Sequence, residues 1–276
     1  MKNVNDIRWQ MDYNQAVNRM RKFFLEKEYI EIAGQDHLSI LAACEDPKTV
    51  SQFIFDGINW PLPQTNQMNL ETILLNNSTE NGVFCITTSY RNEPNPIEGR
   101  HDKIFPMFEF EGKGTIDDLR KIESELVKYL GFDSPSIFHY NDVCKRYGVD
   151  VLESEQEIMM QNDFGNCISL EYFPQRSHPF WNMKQNQNDR NIFNKIDILL
   201  YGMETIGSAE RSTDANEMRH NFHSVSDGQY AKLLYNLFGQ KRVLDELENY
   251  LSLDMFPRFG GGVGMTRMIR ALRLLL

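Results

Sequence analysis

The sequence predicts a single α+β domain over residues 1–276, and two observations support this prediction. Helical and strand patterns follow one another in a mixed, non-alternating order, unlike the regular alternation of a doubly wound sheet. The composition is 41% apolar and 12% aromatic, which is sufficient for one sizeable core, and no repeat, low-complexity tract or linker divides the chain. A segment at about 132–166 lies between two groups of strand patterns, and we interpret it as an insertion within the domain.

The first periodic segment runs from about Met11 to Lys27, where apolar side chains recur at helical spacing and predict an amphipathic helix. The run YIEI follows directly and indicates a short strand. The stretch from Asp46 to Gln67 contains several prolines and a glycine, which disfavour a long regular element. We therefore expect a mobile loop there.

Two apolar, β-branched runs, VFCITTSY and IFPMFEFEG, lie between Gly82 and Gly112 and predict two strands joined by a long polar loop. Thr115 and Asp118 then form a capping-box pattern before a stripe of leucine and isoleucine. Gly131 stands where that helix should end.

The last third of the chain adds further strands and helices. ISLEYF and KIDILLYGMETIG indicate strands, whereas Tyr230 to Phe238 and Val243 to Leu251 have helical spacing. The chain closes with FGGGVG and the helical run MTRMIRALRLLL.

Charge and cysteine content exclude several classes of protein. Lys and Arg number 29 against 39 Asp and Glu, a formal charge of −10, so a broad basic surface for nucleic acid is not expected. No apolar run is long enough for a membrane span, and the N-terminus lacks the apolar core of a signal peptide. We expect a soluble cytoplasmic protein. The cysteines form no CxxC pair and are interpreted as buried free thiols: Cys44, Cys85, Cys144 and Cys167.

Arg91 and Glu93 leave a predicted strand and enter a polar loop that contains Arg100 and His101. An arginine in such a place can bind a phosphate and a carboxylate together. The alternative is a solvated, charged hairpin without a ligand.

Asp197 and Glu204 flank a turn-like Tyr201-Gly202 pair, so a hairpin could bring both carboxylates to one side of the sheet. Paired oxygen ligands suit Mg²⁺ bound to the phosphates of ATP. The alternative is a pair of edge-strand charges that keeps a sheet soluble.

A glycine cluster with Gly262 and Gly264 precedes Arg267, and glycines let a backbone approach a ligand closely. The spacing is neither that of a Walker loop nor that of a Rossmann fingerprint. A plain flexible turn is the alternative.

The order of these segments resembles the catalytic core of class II aminoacyl-tRNA synthetases of the aspartyl and asparaginyl branch. SYRNEPNPIEGRHDKIFPMFEFEG resembles the family's motif 2, KIDILLYGMETIGSAER its metal-binding strand pair, and GGGVGMTRM its motif 3. The resemblance spans nearly the whole chain. It implies a mainly antiparallel sheet flanked by helices, a homodimer, and ATP with Mg²⁺ as substrate and metal.

The resemblance also implies roles for individual residues. Arg91 and Arg267 would be the catalytic contacts to the α-phosphate and the γ-phosphate. The remaining ATP contacts would be Glu93, which accepts from the adenine amino group, Phe105, which stacks on adenine, and Arg100, His101, Glu204, Gly262 and Gly264. Asp197 and Glu204 would hold Mg²⁺. The amino acid would meet Gln67, Glu71, Glu109, which would bind its α-ammonium group, and Arg211, which would read its side-chain end. The alternative for Phe105 and Glu109 is core packing and a buried structural ion pair.

The segment PQTNQMNLE resembles the family's substrate-recognition strand. Aspartyl enzymes carry a lysine three residues after the position of Gln67, whereas this chain has Leu70 there. Glu71 falls where asparaginyl enzymes place a glutamate that can accept from an amide. An amide-bearing substrate is therefore favoured over aspartate.

Two departures from the family pattern bear on the partners. Motif 1, which shapes the dimer interface, has a proline where this chain has Gln35, and no anticodon-binding β-barrel precedes the Met11 helix. Three functions remain open: an asparaginyl-tRNA synthetase-like enzyme that forms an aminoacyl adenylate for tRNA or another acceptor, an ammonia-dependent asparagine synthetase, and a catalytically idle paralogue. The amino acid and ATP are the expected small-molecule partners, and no membrane partner is expected.

Overall fold

The computed structural model describes residues 6–34, 36–43 and 49–276. The strands in this part of the chain are β1 (Tyr29–Glu31), β2 (Gln52–Phe55), β3 (Ile58–Pro61), β4 (Gly82–Tyr90), β5 (Ile104–Lys113), β6 (Ser136–His139), β7 (Cys167–Pro174), β8 (Ile192–Leu200), β9 (Glu204–Glu210) and β10 (Arg258–Gly264). The α-helices are α1 (Ile7–Glu26), α2 (Gln67–Asn76), α3 (Ile116–Tyr129), α4 (Tyr140–Tyr147), α5 (Ser154–Phe164), α6 (Ala215–Ser224), α7 (Gln229–Phe238), α8 (Gln240–Leu251) and α9 (Met265–Leu275).

Eight strands form one sheet in the order β1-β4-β5-β10-β9-β8-β7-β6. The two outermost pairs, β1 with β4 and β6 with β7, are parallel, and all the pairs between them are antiparallel. The predicted mainly antiparallel sheet with flanking helices is confirmed. β2 and β3 form a separate hairpin.

One face of the sheet is covered by α1, α3 and α9, which pack on alternate strand residues to form the largest core. Phe24 of α1 lies at its centre, with its ring centroid 5.2 Å from that of Phe108 and 5.0 Å from that of Phe110. Phe84 of β4 and Phe108 and Phe110 of β5 therefore point toward the helices, and the residues between them point to the opposite face.

The opposite face is only partly covered. The side chains of α6, α7 and α8 form a second core around Trp181, and α2 packs on β4 through Leu70, Leu74, Val83 and Cys85. The space left between these two groups is the cleft described below.

Several local predictions are confirmed. The Asp6 side chain caps α1 by accepting from the Arg8 amide at 3.0 Å, and Thr115 and Asp118 form the predicted capping box of α3. Gly131, which follows α3, has a φ of +100°, a value that favours glycine.

A short hairpin, β2–β3, stands within the segment that we predicted to be a loop. Asp56 and Gly57 form its turn with φ values of 50° and 73°, as expected for a tight two-residue hairpin turn. The first residues of that predicted loop, up to position 48, lie outside the described residues, as do Gln35 and Cys44.

The glycine-rich run is not a turn but β10, an inner strand between β5 and β9. A Cβ added at Gly261 would lie 2.6 Å from Ser208 Cβ and 3.0 Å from the Gly207 carbonyl oxygen. Glycine is therefore required here by close strand packing. PQTNQMNLE is likewise not a strand, because Gln67 begins α2, which continues to Asn76.

The predicted insertion contains β6, α4 and α5. β6 extends the main sheet at its edge, and the two helices pack on β7 through Tyr140, Val143 and Met160. The insertion thus shares the sheet of the domain.

Three cysteines of the described chain, Cys85, Cys144 and Cys167, are free and buried, as predicted. Across residues 6–34, 36–43 and 49–276, no helix is both long and apolar enough to cross a bilayer. Nor does this part of the chain contain a cluster of three or more His, Cys, Asp or Glu side chains suited to a metal.

Candidate active site

A cleft of about 400 Å³ opens on the sheet face opposite α1, α3 and α9. Strands β5, β8, β9 and β10 supply its floor. Its walls come from the start of α2, the β4–β5 loop, the residues after β7 and the start of α9. Side chains that are distant in the sequence meet here because β10 runs between the motif-2-like and the metal-site-like strands.

The structure brings most of the predicted site residues into this cleft. Two do not line it: Glu71, which is fully buried below the floor, and Asp197, which lies behind Lys195. The residues that line it are Gln67, Arg91, Glu93, Arg100, His101, Phe105, Glu109, Glu204, Arg211, Gly262, Gly264 and Arg267.

Arg91 and Phe105 lie together where β4 ends and β5 begins. The Arg91 guanidinium carbon is 5.7 Å from the centroid of the Phe105 ring. In the adjoining loop, His101 Nδ1 is 2.6 Å from Glu93 Oε2. An arginine held against an aromatic face beside a carboxylate can receive a phosphate and a flat nitrogenous ring.

Arg267 and Arg100 approach the cleft from two different elements. Arg267, on the first turn of α9, donates to the Glu204 carbonyl oxygen at 2.8 Å, and its Nη1 is 3.6 Å from Glu204 Oε2. Arg100 donates to Glu157 Oε2 at 2.5 Å. Glu157 belongs to α5, so the predicted insertion reaches the cleft.

Glu204 lies among positive charges. Burial raises the pKa of this carboxyl, but Arg267, Lys195, Arg91 and Arg100 outweigh burial and hold the pKa below its usual range. Glu204 is therefore an anion, and the cations around it form a surface suited to a polyphosphate.

Asp197 and Glu204 come together beside Gly207, as the hairpin prediction requires. A Cβ added at Gly207 would lie 3.0 Å from Glu204 Oε1 and 3.5 Å from Asp197 Oδ1. The Lys195 ammonium, however, donates to both Asp197 oxygens, at 2.6 and 2.5 Å. This arrangement does not fit a Mg²⁺ ion held jointly by the two carboxylates.

Glu109 of β5 occupies the cleft floor. It accepts hydrogen bonds from the hydroxyl groups of Thr65 and Thr87 and from the Asn66 amide, the last at 3.0 Å. Burial raises its pKa, and these donors oppose the shift. A carboxylate fixed in this way can bind an ammonium group.

A buried network of charges lies under the far end of the cleft. Arg211 donates to Glu111 at 3.2 and 3.3 Å, and its Nε is 3.5 Å from Glu71 Oε1. Glu71 also accepts from Arg258 at 2.7 Å and from Tyr250 at 2.5 Å. Two carboxylates therefore already balance two guanidinium groups.

Glu71 does not line the cleft itself and is linked to it through Arg211 and Asn182. Its Oε1 accepts from Asn182 Nδ2 at 2.6 Å, and Asn182 lines the cleft. Leu70 points the other way, fully buried against Leu74, Val83 and Cys85. A lysine at position 70 would be buried in an apolar cluster and could not face a substrate there.

Several residues of the cleft and its support were not predicted from the sequence, among them Lys195, Asn182, Glu111 and Glu157. Lys195 was detectable, because alternation along a strand places it on the same face as Asp197. Glu111 has the same relation to Glu109. Asn182 and Glu157 had no local signal, since their positions depend on how distant segments pack.

The family model for class II tRNA synthetases (D, K and N) matches residues 6–274. The chain therefore belongs to the class II tRNA synthetase family.

Solved structures with a similar fold come from the asparaginyl and aspartyl members of that family. Asparaginyl-tRNA synthetase from Pyrococcus horikoshii, complexed with asparaginyl-adenylate, has a TM-score of 0.77 at 19% identity, over 95% of this chain and 64% of that chain. The Entamoeba histolytica asparaginyl-tRNA synthetase in complex with the same adenylate has a TM-score of 0.75 at 17% identity, over 95% and 63%. A putative aspartyl-tRNA synthetase from Leishmania major Friedlin has a TM-score of 0.75 at 12% identity, over 95% and 61%. This chain thus spans somewhat less than two thirds of each of these proteins.

Proposed function

We propose that this protein activates an amino acid with ATP, forming an aminoacyl adenylate and releasing pyrophosphate. The observation that carries the proposal is the meeting of Arg91, Arg267 and Glu109 in one cleft. Two guanidinium groups can bind a triphosphate at one end, and a buried carboxylate can bind an α-ammonium group nearby.

In the proposed reaction, a carboxylate oxygen of the amino acid attacks the α-phosphorus in line with the leaving pyrophosphate. One P–O bond forms, the bond from that phosphorus to the bridging oxygen breaks, and its electrons leave with pyrophosphate. Arg91 would neutralise the charge at the α-phosphate and Arg267 that at the γ-phosphate. Phe105 would hold the adenine ring, Glu93 its amino group, and no covalent enzyme nucleophile is needed.

The other predicted ATP contacts support the same pose. Arg100 and His101 lie in the loop above the nucleotide position, and Gly262 and Gly264 keep the β10 end of the cleft free of side chains.

The substrate that we propose is asparagine or a similar amide. Arg211, the group expected to read the side chain, is already paired with Glu111 and is close to Glu71. Burial raises the pKa of Glu111 to about 7, so this network already resists negative charge. A substrate carboxylate would add negative charge to it, whereas a neutral amide would not. Gln67 donates to Phe110 O at 3.0 Å and to Glu111, so it would position that network.

The proposal extends to the adenylate and leaves the acceptor open. A net charge of −10 offers tRNA no broad basic surface. Transfer to tRNA or to a small acceptor is therefore a separate question from activation.

The test is ATP–pyrophosphate exchange with a panel of the twenty amino acids. We expect exchange that depends on asparagine and not on aspartate. Aspartate-dependent AMP formation that requires ammonium would instead identify an asparagine synthetase. A folded protein that shows no exchange with any amino acid would overturn the proposal in favour of an idle paralogue.

A further inference from the structure

Lys195 is a cation built into the place where the family pattern predicts a metal. Its ammonium group contacts both oxygens of Asp197, and it lies 3.8 Å from the centroid of the Phe173 ring. The side chain is 18% exposed and lines the cleft. A carboxylate on one side and an aromatic face on the other thus hold this ammonium group in a defined position.

A metal at Asp197 would have to compete with this ion pair. Mg²⁺ sheds its water reluctantly and requires nearly octahedral geometry. It would either displace the ammonium group from the carboxylate or share the carboxylate with it, and two cations on one carboxylate repel each other. Glu204 is paired less closely than Asp197, because its carboxylate lies 3.6 Å from Arg267 Nη1.

The position of Lys195 also suits a phosphate. It lies on the same face of the sheet as Gly207 and acts on Glu204 together with Arg91, Arg100 and Arg267. An ammonium group is a compact point charge that commonly binds phosphate oxygens.

We propose that Lys195 replaces a divalent cation at Asp197: Asp197 anchors the lysine rather than a metal, and the ammonium group binds the nucleotide's phosphates. The first part concerns the protein without nucleotide, and the second part rests on the proposed function.

The first test measures Mn²⁺ binding to the nucleotide-free protein by electron paramagnetic resonance. Lys195→Met should bind Mn²⁺ at least about ten-fold more tightly than the wild type, because it leaves the Asp197 carboxylate without its cation. Adding Asp197→Asn to that variant should remove the gain. The matched control is Lys184→Met, which removes a lysine paired with Glu210 at 2.6 Å outside the cleft and should leave Mn²⁺ affinity unchanged.

Asp197→Asn alone tests the same point if Lys195→Met does not fold. The proposal requires that this variant bind Mn²⁺ as the wild type does, whereas a metal-binding Asp197 requires a large loss. Equal Mn²⁺ affinity of folded Lys195→Met and wild type would also overturn the proposal.

The second test measures ATP affinity by calorimetry at low and high Mg²⁺. Lys195→Met should bind ATP about ten-fold more weakly at low Mg²⁺ and recover at high Mg²⁺, when a metal can take the vacated place. An ATP affinity unchanged at low Mg²⁺ would overturn the phosphate role. The outcomes remain separable from the proposed function, since Mn²⁺ binding needs no nucleotide and amino-acid-dependent exchange by the wild type reports activation alone.

Discussion

Arg91 is the residue whose chemistry the proposed activation depends on most. Its guanidinium group lines the cleft and packs against the Phe105 ring, which restricts the conformations of the side chain. Arg91 would stabilise the negative charge that builds on the phosphate during attack, and it would contribute little to the stability of the fold.

We therefore expect Arg91→Ala to lower the rate of pyrophosphate exchange by about 10²–10³-fold or more, the range seen when one donor to a transition-state oxyanion is removed. The melting temperature should hardly change. Arg146→Ala is the matched control, because Arg146 also lies over a phenylalanine, Phe164 at 4.8 Å, but outside the cleft. Exchange retained by Arg91→Ala would remove the role that we assign to this residue.

Glu123 shows a different effect of burial on a carboxyl group. It lies on α3 and is 1% exposed, with the Ser208 hydroxyl group near its carboxyl group. Burial raises its pKa well above the usual range. The folded protein therefore keeps a proton on Glu123 at pH values where the unfolded chain has lost it, so this group makes stability fall as pH rises toward the raised pKa.

Glu123→Gln should remove this loss, because glutamine does not titrate. Between pH 5 and pH 8, the free energy of unfolding of Glu123→Gln should rise relative to that of the wild type as pH increases, by up to about 1.4 kcal/mol per pH unit. Urea unfolding at several pH values measures the difference. Glu155→Gln, which makes the same change at an exposed position on α5, is the control. A pH-independent difference for Glu123→Gln would mean that the buried carboxyl is charged.

At the scale of elements, β10 determines how closely β5 and β9, which carry residues on the two sides of the site, approach each other. It pairs with β5 on one side and β9 on the other, and Gly261 permits that spacing. The neighbours of a Cβ at Gly261 include backbone as well as side chain, so they cannot simply rotate away. Gly264 is different, since the nearest atom to an added Cβ is Arg267 Cδ at 3.9 Å.

Gly261→Ala should consequently destabilise the protein by about 1–3 kcal/mol, the usual cost of overpacking. Gly264→Ala should stay within about 1 kcal/mol of the wild type. Chemical denaturation of both variants provides the comparison. Similar stability of the two would show that β10 is not constrained by its neighbours.

The elements also show what the sequence could predict. Periodicity identified α1, α3 and the paired strands β4 and β5, because one apolar face is enough to specify them. It did not identify β10, since a strand of glycines has no apolar pattern. The Asp56-Gly57 turn of the β2–β3 hairpin was present in the sequence, but the prolines on both sides of it led us to predict a loop instead.

The residues of the candidate site also fall into two groups, those that the sequence predicted and those that it did not. Residues within the motif-like segments, such as Arg91 and Arg267, fell in the cleft as expected from the resemblance. The pairing of Lys195 with Asp197 and the contact from Glu157 to Arg100 were not predicted. Such contacts depend on side-chain orientation and on the packing of a distant helix, and neither leaves a local pattern.

On the scale of the whole molecule, the large sheet ends in two edge strands, β1 and β6. Among the described residues, β1 and β6 each pair with a strand on one side only, and each exposes an isoleucine: Ile30 is 45% exposed and Ile137 is 52% exposed. An open strand edge is a site for association. The resemblance implies a homodimer whose interface is shaped by motif 1, the segment that here includes α1, β1 and Gln35.

If that assignment holds, the wild type should sediment with twice the mass of one chain, and Ile30→Asp should weaken self-association by ten-fold or more. The reason is that a carboxylate buried between two subunits loses its hydration without gaining a partner. Ile137→Asp places the same charge on the other edge and should leave the dimer intact. Analytical ultracentrifugation over a range of protein concentrations distinguishes the two. A dimer weakened by Ile137→Asp but not by Ile30→Asp would place the interface at the insertion, where a second subunit would lie beside the helix that carries Glu157.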